Sequence, residues 1–309
     1  MANAPIPVQQ HHLAAVQAYR NSAYIAREIF PAFQVAFDNF DFPRWNQKNL
    51  FTLPATEISR RGEANETEFS GDRVAARIRD DGLRSVVPRK DIDNAPEGLD
   101  PLGYAGEALA DLLELGRERR VAEIVFGAAN YPAANKTTLS GTDQWSDPAS
   151  DPVGAILAAS ESMLVRPNTL VVGPQVLFAL KNHPDIRERL KYVSGGSVTA
   201  AMLAGLFEVE RVVVGEAMIN AANRGKAMSL SRVWGPHAAL LHVDKRFNGR
   251  SQVMTFGAIA ERGARVLNHY DIDPGHCGVD GGVEVFVGEK TAECVVAPDL
   301  GYLFSAAVA

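Results

Sequence analysis

The sequence predicts an α+β chain built from two lobes. Three observations carry this expectation. Asp100-Pro101 opens a long helical run that ends near Val125. Short valine-rich segments, Leu170–Val172, Arg211–Gly215 and Ala238–Val243, alternate with amphipathic stretches. Beyond Gln252 the chain turns to strand-like segments and turns. At 309 residues it also exceeds the size at which one core usually stops growing.

Residues 1 to about 43 read as an arm with one helix, carrying Leu13, Val16, Ala23, Ile25 and Phe30 and interrupted at Pro31. Phe33, Phe37, Phe40 and Phe42, with Trp45 close behind, form an aromatic cluster expected to bury within the chain. Phe51 to Lys90 is densely and evenly charged, with alternation at Val74–Arg79 and Leu83–Val87 and turns at Gly62, Gly71 and Gly82. It reads as a long, irregular hairpin. A two-stranded arm alone is marginal in water, so something should support it.

The run from Asp100 to Val125 places Leu109, Leu112, Leu113 and Ile124 on a compatible face, with Glu114, Arg117 and Glu118 among the charges assigned to the remainder. At about 25 residues it is a rod of roughly 37 Å. Phe126–Thr142 reads as a loop or short strand pair. Asp151 is placed to cap a helix and Pro152 to occupy its first turn, with Val153, Ile156, Leu157 and Leu164 facing inward. Leu170–Val172 is a buried strand. Gly173-Pro174 opens a second helix with Val176, Leu177 and Leu180 inward, His183-Pro184 breaks it, and Asp185 is placed to cap a third. Thr199 can cap a short helix ending at Phe207, and Asn220–Ser231 is a loop. Gln252–Phe256 and Ala264–Leu267 are expected as sheet segments. Val283–Val287 and Glu293–Val296 are expected as paired strands around Gly288-Glu289-Lys290, and Leu300–Phe304 closes the chain.

One ordered series stands out. Trp145 precedes Asp151-Pro152 and an amphipathic helix. Pro167-Asn168-Thr169-Leu170 then leads into a short valine strand, and the next helix ends in Leu180-Lys181-Asn182-His183-Pro184. Thr199–Phe207 and Val209–Ala217 follow. The series resembles the axial domain of tailed-bacteriophage major capsid proteins, the Hong Kong-97-type fold that encapsulin shells share. The likeness is dense over Trp145–Ala217 and looser elsewhere. It implies an N-terminal arm (1–43), an extended loop (44–92), a peripheral domain on a long spine helix (93–143 and 248–293), and an axial domain (144–247 and 294–309). It also implies self-assembly, as hexamers and pentamers, into an icosahedral shell enclosing phage double-stranded DNA, formed in the bacterial host cytoplasm. Separate scaffolding, portal and decoration proteins are the implied partners. The arm begins almost at Met1, so a scaffold is expected as a separate protein or not at all. Lys48 and Lys90 flank the loop, but no motif carries over the covalent crosslinking of some relatives. An encapsulin-like compartment is the alternative within the fold.

Apolar residues at 46% and charged ones at 22% describe an ordinary globular chain. A net charge of −6 argues against a general nucleic-acid-binding surface, so enclosed DNA is expected without sequence-specific binding. No apolar run reaches membrane-spanning length, and no signal peptide is visible at the N-terminus. Cys277 and Cys294 are expected as two reduced thiols, and the glycosylation patterns at Asn65 and Asn135 as chance matches. His269 to Cys277 holds metal-ligand residue types without paired spacing, and is read as a polar turn; a soluble metal- or thiol-dependent enzyme using it is the alternative from another class. His11-His12 is read as a solvated pair. Gly225-Lys226 lacks the rest of a phosphate loop, Ser194 lacks a nucleophile-elbow glycine, and Asp91-x-Asp93 lacks the later calcium ligands. No catalytic, cofactor-binding or metal residue is therefore assigned, no cofactor is expected, and the chain is expected not to be an enzyme.

Overall fold

The computed structural model describes residues 5–45, 71–191, 198–222, 225–249 and 253–309, with isolated positions between 53 and 62. The first half begins with β1 (Pro5–Ile6), α1 (Gln10–Ala18), α2 (Ala26–Ile29), β2 (Ala32–Gln34) and β3 (Asn39–Trp45). After the undescribed stretch come β4 (Gly71–Arg77), β5 (Arg79–Pro88), α3 (Arg89–Asp93) and α4 (Pro101–Val125), then β6 (Lys136–Thr138). The middle holds α5 (Pro152–Ser162), β7 (Thr169–Val172), α6 (Pro174–Asn182), α7 (Pro184–Leu190), α8 (Ala200–Leu206) and β8 (Arg211–Val214). The remainder is strand: β9 (Met218–Asn220), β10 (Leu230–Arg232), β11 (Ala238–Leu241), β12 (Gly257–Glu261), β13 (Val266–Ile272), β14 (Gly282–Val295) and β15 (Gly301–Ser305).

The caps read from sequence are formed. Asp100 accepts from the Leu102 and Gly103 amides, Asp151 from Gly154, and Thr199 from Met202. Each satisfies orphan N–H groups of a first turn. Two local expectations change. Pro184 opens α7 with His183 as its N-cap, so Asp185 sits inside the first turn and pairs with Arg189 at 3.0 Å. α5 stops at Ser162, which leaves Leu164 outside the helix and 46% exposed.

Two sheets organise the chain. The first runs β1-β13-β14-β12-β2, with β5 also on β14; the second runs β6-β15-β11-β7-β8. β14 replaces the expected strand pair around Gly288-Glu289-Lys290. It is one 14-residue strand. Along one edge it pairs with β5 from Gly282 to Thr291; along the other, β13 covers Gly282–Gly288 and β12 covers Thr291–Val295. Glycine and charge there mark a change of neighbour rather than a reversal. The first strand after Gln252 is Gly257–Glu261, not Gln252–Phe256. The expected hairpin within Phe51–Lys90 is also redrawn. β4 pairs with β3, and β5 with β14, so its two described strands do not pair with each other. Most of 51–70 lies outside the described residues. β5 therefore has the support that an isolated ribbon would lack.

α4 bridges the sheets. Its N-terminal half packs Ala105, Leu109 and Leu113 on Val285, Val287 and Leu267 of the first sheet, together with Val16 of α1. Its C-terminal half packs Val121 and Val125 with Val171, Val213 and Leu241 of the second sheet, joined by Ile29, Phe30 and Trp234. The period-two side-chain pattern sends Leu170 and Val172 to the opposite face, against Val153, Ile156, Leu180 and Trp145. Phe33 and Phe42 are buried with Phe247 in a fourth cluster, as the aromatic cluster predicted; Phe37 is 73% exposed.

Gly215, just after β8, allows a close approach. A Cβ there would lie 2.1 Å from Cδ1 of the fully buried Trp234. Gly215→Ala should cost about 1–3 kcal/mol by forcing that indole aside. Chemical denaturation followed by tryptophan fluorescence checks this.

Candidate assembly surface and its charged support

α4 presents a second apolar face that the sequence pattern did not separate from the core. Pro101, Tyr104, Ala105, Ala108, Leu109 and Leu112 recur at helical spacing along a groove of 590 Å³ shared with Val86 and Val87 of β5. Ala105, Leu109 and Val87 form its buried floor. Tyr104, Leu112, Leu99 and Val86 are exposed on its walls at 73, 53, 58 and 43%. Leu112, expected inward with Leu109 and Leu113, thus lines the groove instead. A cluster of large apolar side chains left in water along one helix face is the kind of surface that association covers.

Beneath α4 lies a seam of buried charge. Glu114, Arg117 and Glu118 were assigned to the solvated remainder of the helix, yet all three are buried. Arg265 reaches Glu289 and Glu114, both at 3.1 Å, and Arg117 stands 2.7 Å from the other Glu289 oxygen. Glu114 also accepts from the Asn21 amide. Glu118 accepts from the Ile25 and Ala26 amides and from Trp234 Nε1, at 3.0, 2.8 and 2.7 Å. Those three donors come from the start of α2 and from the loop before β11, so one carboxylate fastens both to α4. Arg120 extends the seam to Glu293 and Asp81.

Burial pushes the Glu118 carboxyl up, against its three hydrogen bonds. Burial acts the same way on Glu289, but Arg117 and Arg265 outweigh it and hold that carboxyl below the ordinary glutamate range. Burial lowers the Arg117 guanidinium. Every group here has a charge partner or backbone donor, and nothing is poised for proton transfer to a substrate. The seam fixes geometry. Its only sequence signal is the 114, 117, 118, 121 spacing, which continues the buried face; the partners at 265 and 289 are too distant in sequence to infer.

The histidines, cysteines and acids that could carry chemistry between His269 and Cys294 are dispersed. His269 is buried on β13, while His276 is exposed and Cys277 half-buried in the turn beyond it. Cys294 lies on β14, where burial pushes its thiol up to about 12, far from a reactive thiolate. Asp91 and Asp93 lie in the short α3, and Ser194 is outside the described residues. His11 is exposed as expected, but His12 is buried, which corrects the solvated-pair reading. No described helix is long and apolar enough to cross a membrane.

Residues 125–229 match the family described as phage major capsid protein E. The stretch Trp145–Ala217 lies within that match. Over 311 aligned residues, and 100% of both chains, the protein is 42% identical to a major capsid protein of Pseudomonas phage JBD67. The chain belongs to the phage major capsid protein family. The major capsid protein of Burkholderia phage BcepMu is 30% identical over 241 residues, 76% of each chain. The crystal structure of a phage-related protein from Bordetella bronchiseptica RB50 superposes with a TM-score of 0.76 at 25% identity, covering 98% of both chains. Major capsid proteins form a structural family, not an enzyme family. Membership makes this chain a shell component that associates with its own kind in the virion capsid.

Proposed function

We propose that this chain is the repeating subunit of an icosahedral phage head, closing as hexamers and pentamers around double-stranded DNA. Whole-length identity with a phage major capsid protein carries the reading. It favours a phage head over an encapsulin-like cage. The chain itself performs no reaction, in keeping with the dispersal of His269, Cys277 and Cys294. Assembly takes place in the bacterial host cytoplasm, with portal, scaffolding or decoration proteins as separate partners. The net charge of −6 lets packaged DNA fill the shell without adhering strongly to its wall.

Within the subunit we assign 1–43 to an arm, 44–92 to an extended loop, 93–143 and 248–293 to a peripheral domain, and 144–247 and 294–309 to an axial domain. α4 is the spine of the peripheral part, and the groove beside it receives a neighbouring copy. Each interface can be weak, because every subunit is held by several at once.

Expression of the full chain should yield megadalton particles, seen by negative-stain imaging and light scattering. A monomer under all assembly conditions would overturn the proposal. Particles filled with a cargo enzyme would move it to the encapsulin class.

A further inference from the structure

The junction of α1, α4 and β13 gathers metal-ligating side chains that the shell reading does not use. His11, His12 and Asp100 each offer a ligand atom, and these lie within 4.8 Å of one another. His12 Nε2 stands against Asp100 Oδ2, and neither ring nitrogen of His12 makes an aligned hydrogen bond although the residue is 5% exposed. Its neighbour His269 is 3% exposed, with a buried Nε2 that also lacks a partner; the two ring centroids are 5.9 Å apart. His12 Nδ1 and His269 Nε2 therefore lack any partner, and such buried ring nitrogens are costly unless something outside the protein satisfies them. Gly103 keeps the place open. A Cβ there would lie 2.6 Å from Asp100 Oδ2 and 3.5 Å from the His12 ring.

We propose that His11, His12 and Asp100 bind a divalent transition metal ion, zinc by preference. Two imidazoles and one carboxylate are a ligand set suited to that ion, and a tetrahedral ion leaves one position for water or for His269. Asp100 already spends Oδ1 on the first-turn amides of α4, so its orientation is fixed by the cap, as a supporting hydrogen bond fixes a metal ligand. The ion ties α1 to the start of α4. β1 pairs with β13 at Ile6 and His269, so the same point also anchors the first strand. The site therefore fastens the N-terminal segment to the spine. Metal removal would loosen that segment, β1 included, and leave the other strands of the two sheets paired.

The test uses the full chain, stripped with EDTA, titrated with Zn²⁺ by calorimetry and melted with and without the ion. One zinc per chain and a raised melting temperature are expected. Asn at position 100 still caps a helix, and His11 is exposed, so Asp100→Asn and His11→Ala should fold. Each should bind zinc about tenfold or more weakly, since each loses a direct ligand. The double substitution His276→Ala with Cys277→Ser should leave affinity and stoichiometry unchanged. Absence of saturable zinc binding, or the same affinity in His11→Ala and Asp100→Asn as in the parent, would overturn the proposal.

Discussion

Glu289→Ala should destabilise the unassembled subunit by about 3–5 kcal/mol, the usual cost of leaving a buried charge without its partner. Glu289 is the anion shared by Arg117 and Arg265, and Arg117 has no other close carboxylate among the described ion pairs. Removing it leaves a guanidinium 2% exposed and unpaired, close beneath the middle of α4. Denaturant titration at low protein concentration measures the loss. Its pH dependence separates this from a simple packing defect. The Glu289 carboxyl is depressed in the fold, so its stabilisation is complete above the ordinary glutamate value of about 4.3 and is lost as pH falls through the lower folded value. Glu118 is raised and acts with the opposite sign, which is why the comparison should be with Glu289→Gln. The stability gap between parent and Glu289→Gln should shrink as pH falls below about 4.3. A gap that stays constant to strong acid would exclude the charge explanation.

Tyr104→Asp and Leu112→Asp should abolish particle formation while leaving the subunit folded. Both side chains are more than half exposed on the groove walls, so charging them costs the monomer little. In an interface the same carboxylate must be desolvated against apolar partners, at several kcal/mol per contact. A shell repeats that contact in every subunit, and the penalty multiplies. Far-UV circular dichroism and melting temperature should match the parent, while light scattering shows no megadalton species. Particles of normal size from both variants would remove the groove from the assembly surface.

Much of the fold was legible because its signals are local. Asp100-Pro101 and Asp151-Pro152 mark helix starts by capping geometry, and the valines before Gly173 mark a buried strand; the structure follows each, although α5 ends at Ser162, ahead of Pro167. Expectations slipped where a distant partner decides the outcome. Gly288-Glu289-Lys290 looks like a turn until β12 and β13 are seen end to end along β14. β4 and β5 look like mates until each is seen with a strand from elsewhere. Glu114, Arg117 and Glu118 look solvated because nothing nearby in sequence announces the cations and anions that bury them. Leu112 looks like core because periodicity reports that a face is apolar, not whether the chain itself covers it.

The position of β15 has a consequence for biosynthesis. It lies between β6 and β11 in the second sheet, so a strand late in the sequence joins ones made much earlier. A nascent chain interrupted before Gly301 would carry a gap at that place, with the β11 edge unpaired. Such a product could not complete the sheet. Without β15 the β6 and β11 strands lose the neighbour they share, and the second sheet stays incomplete.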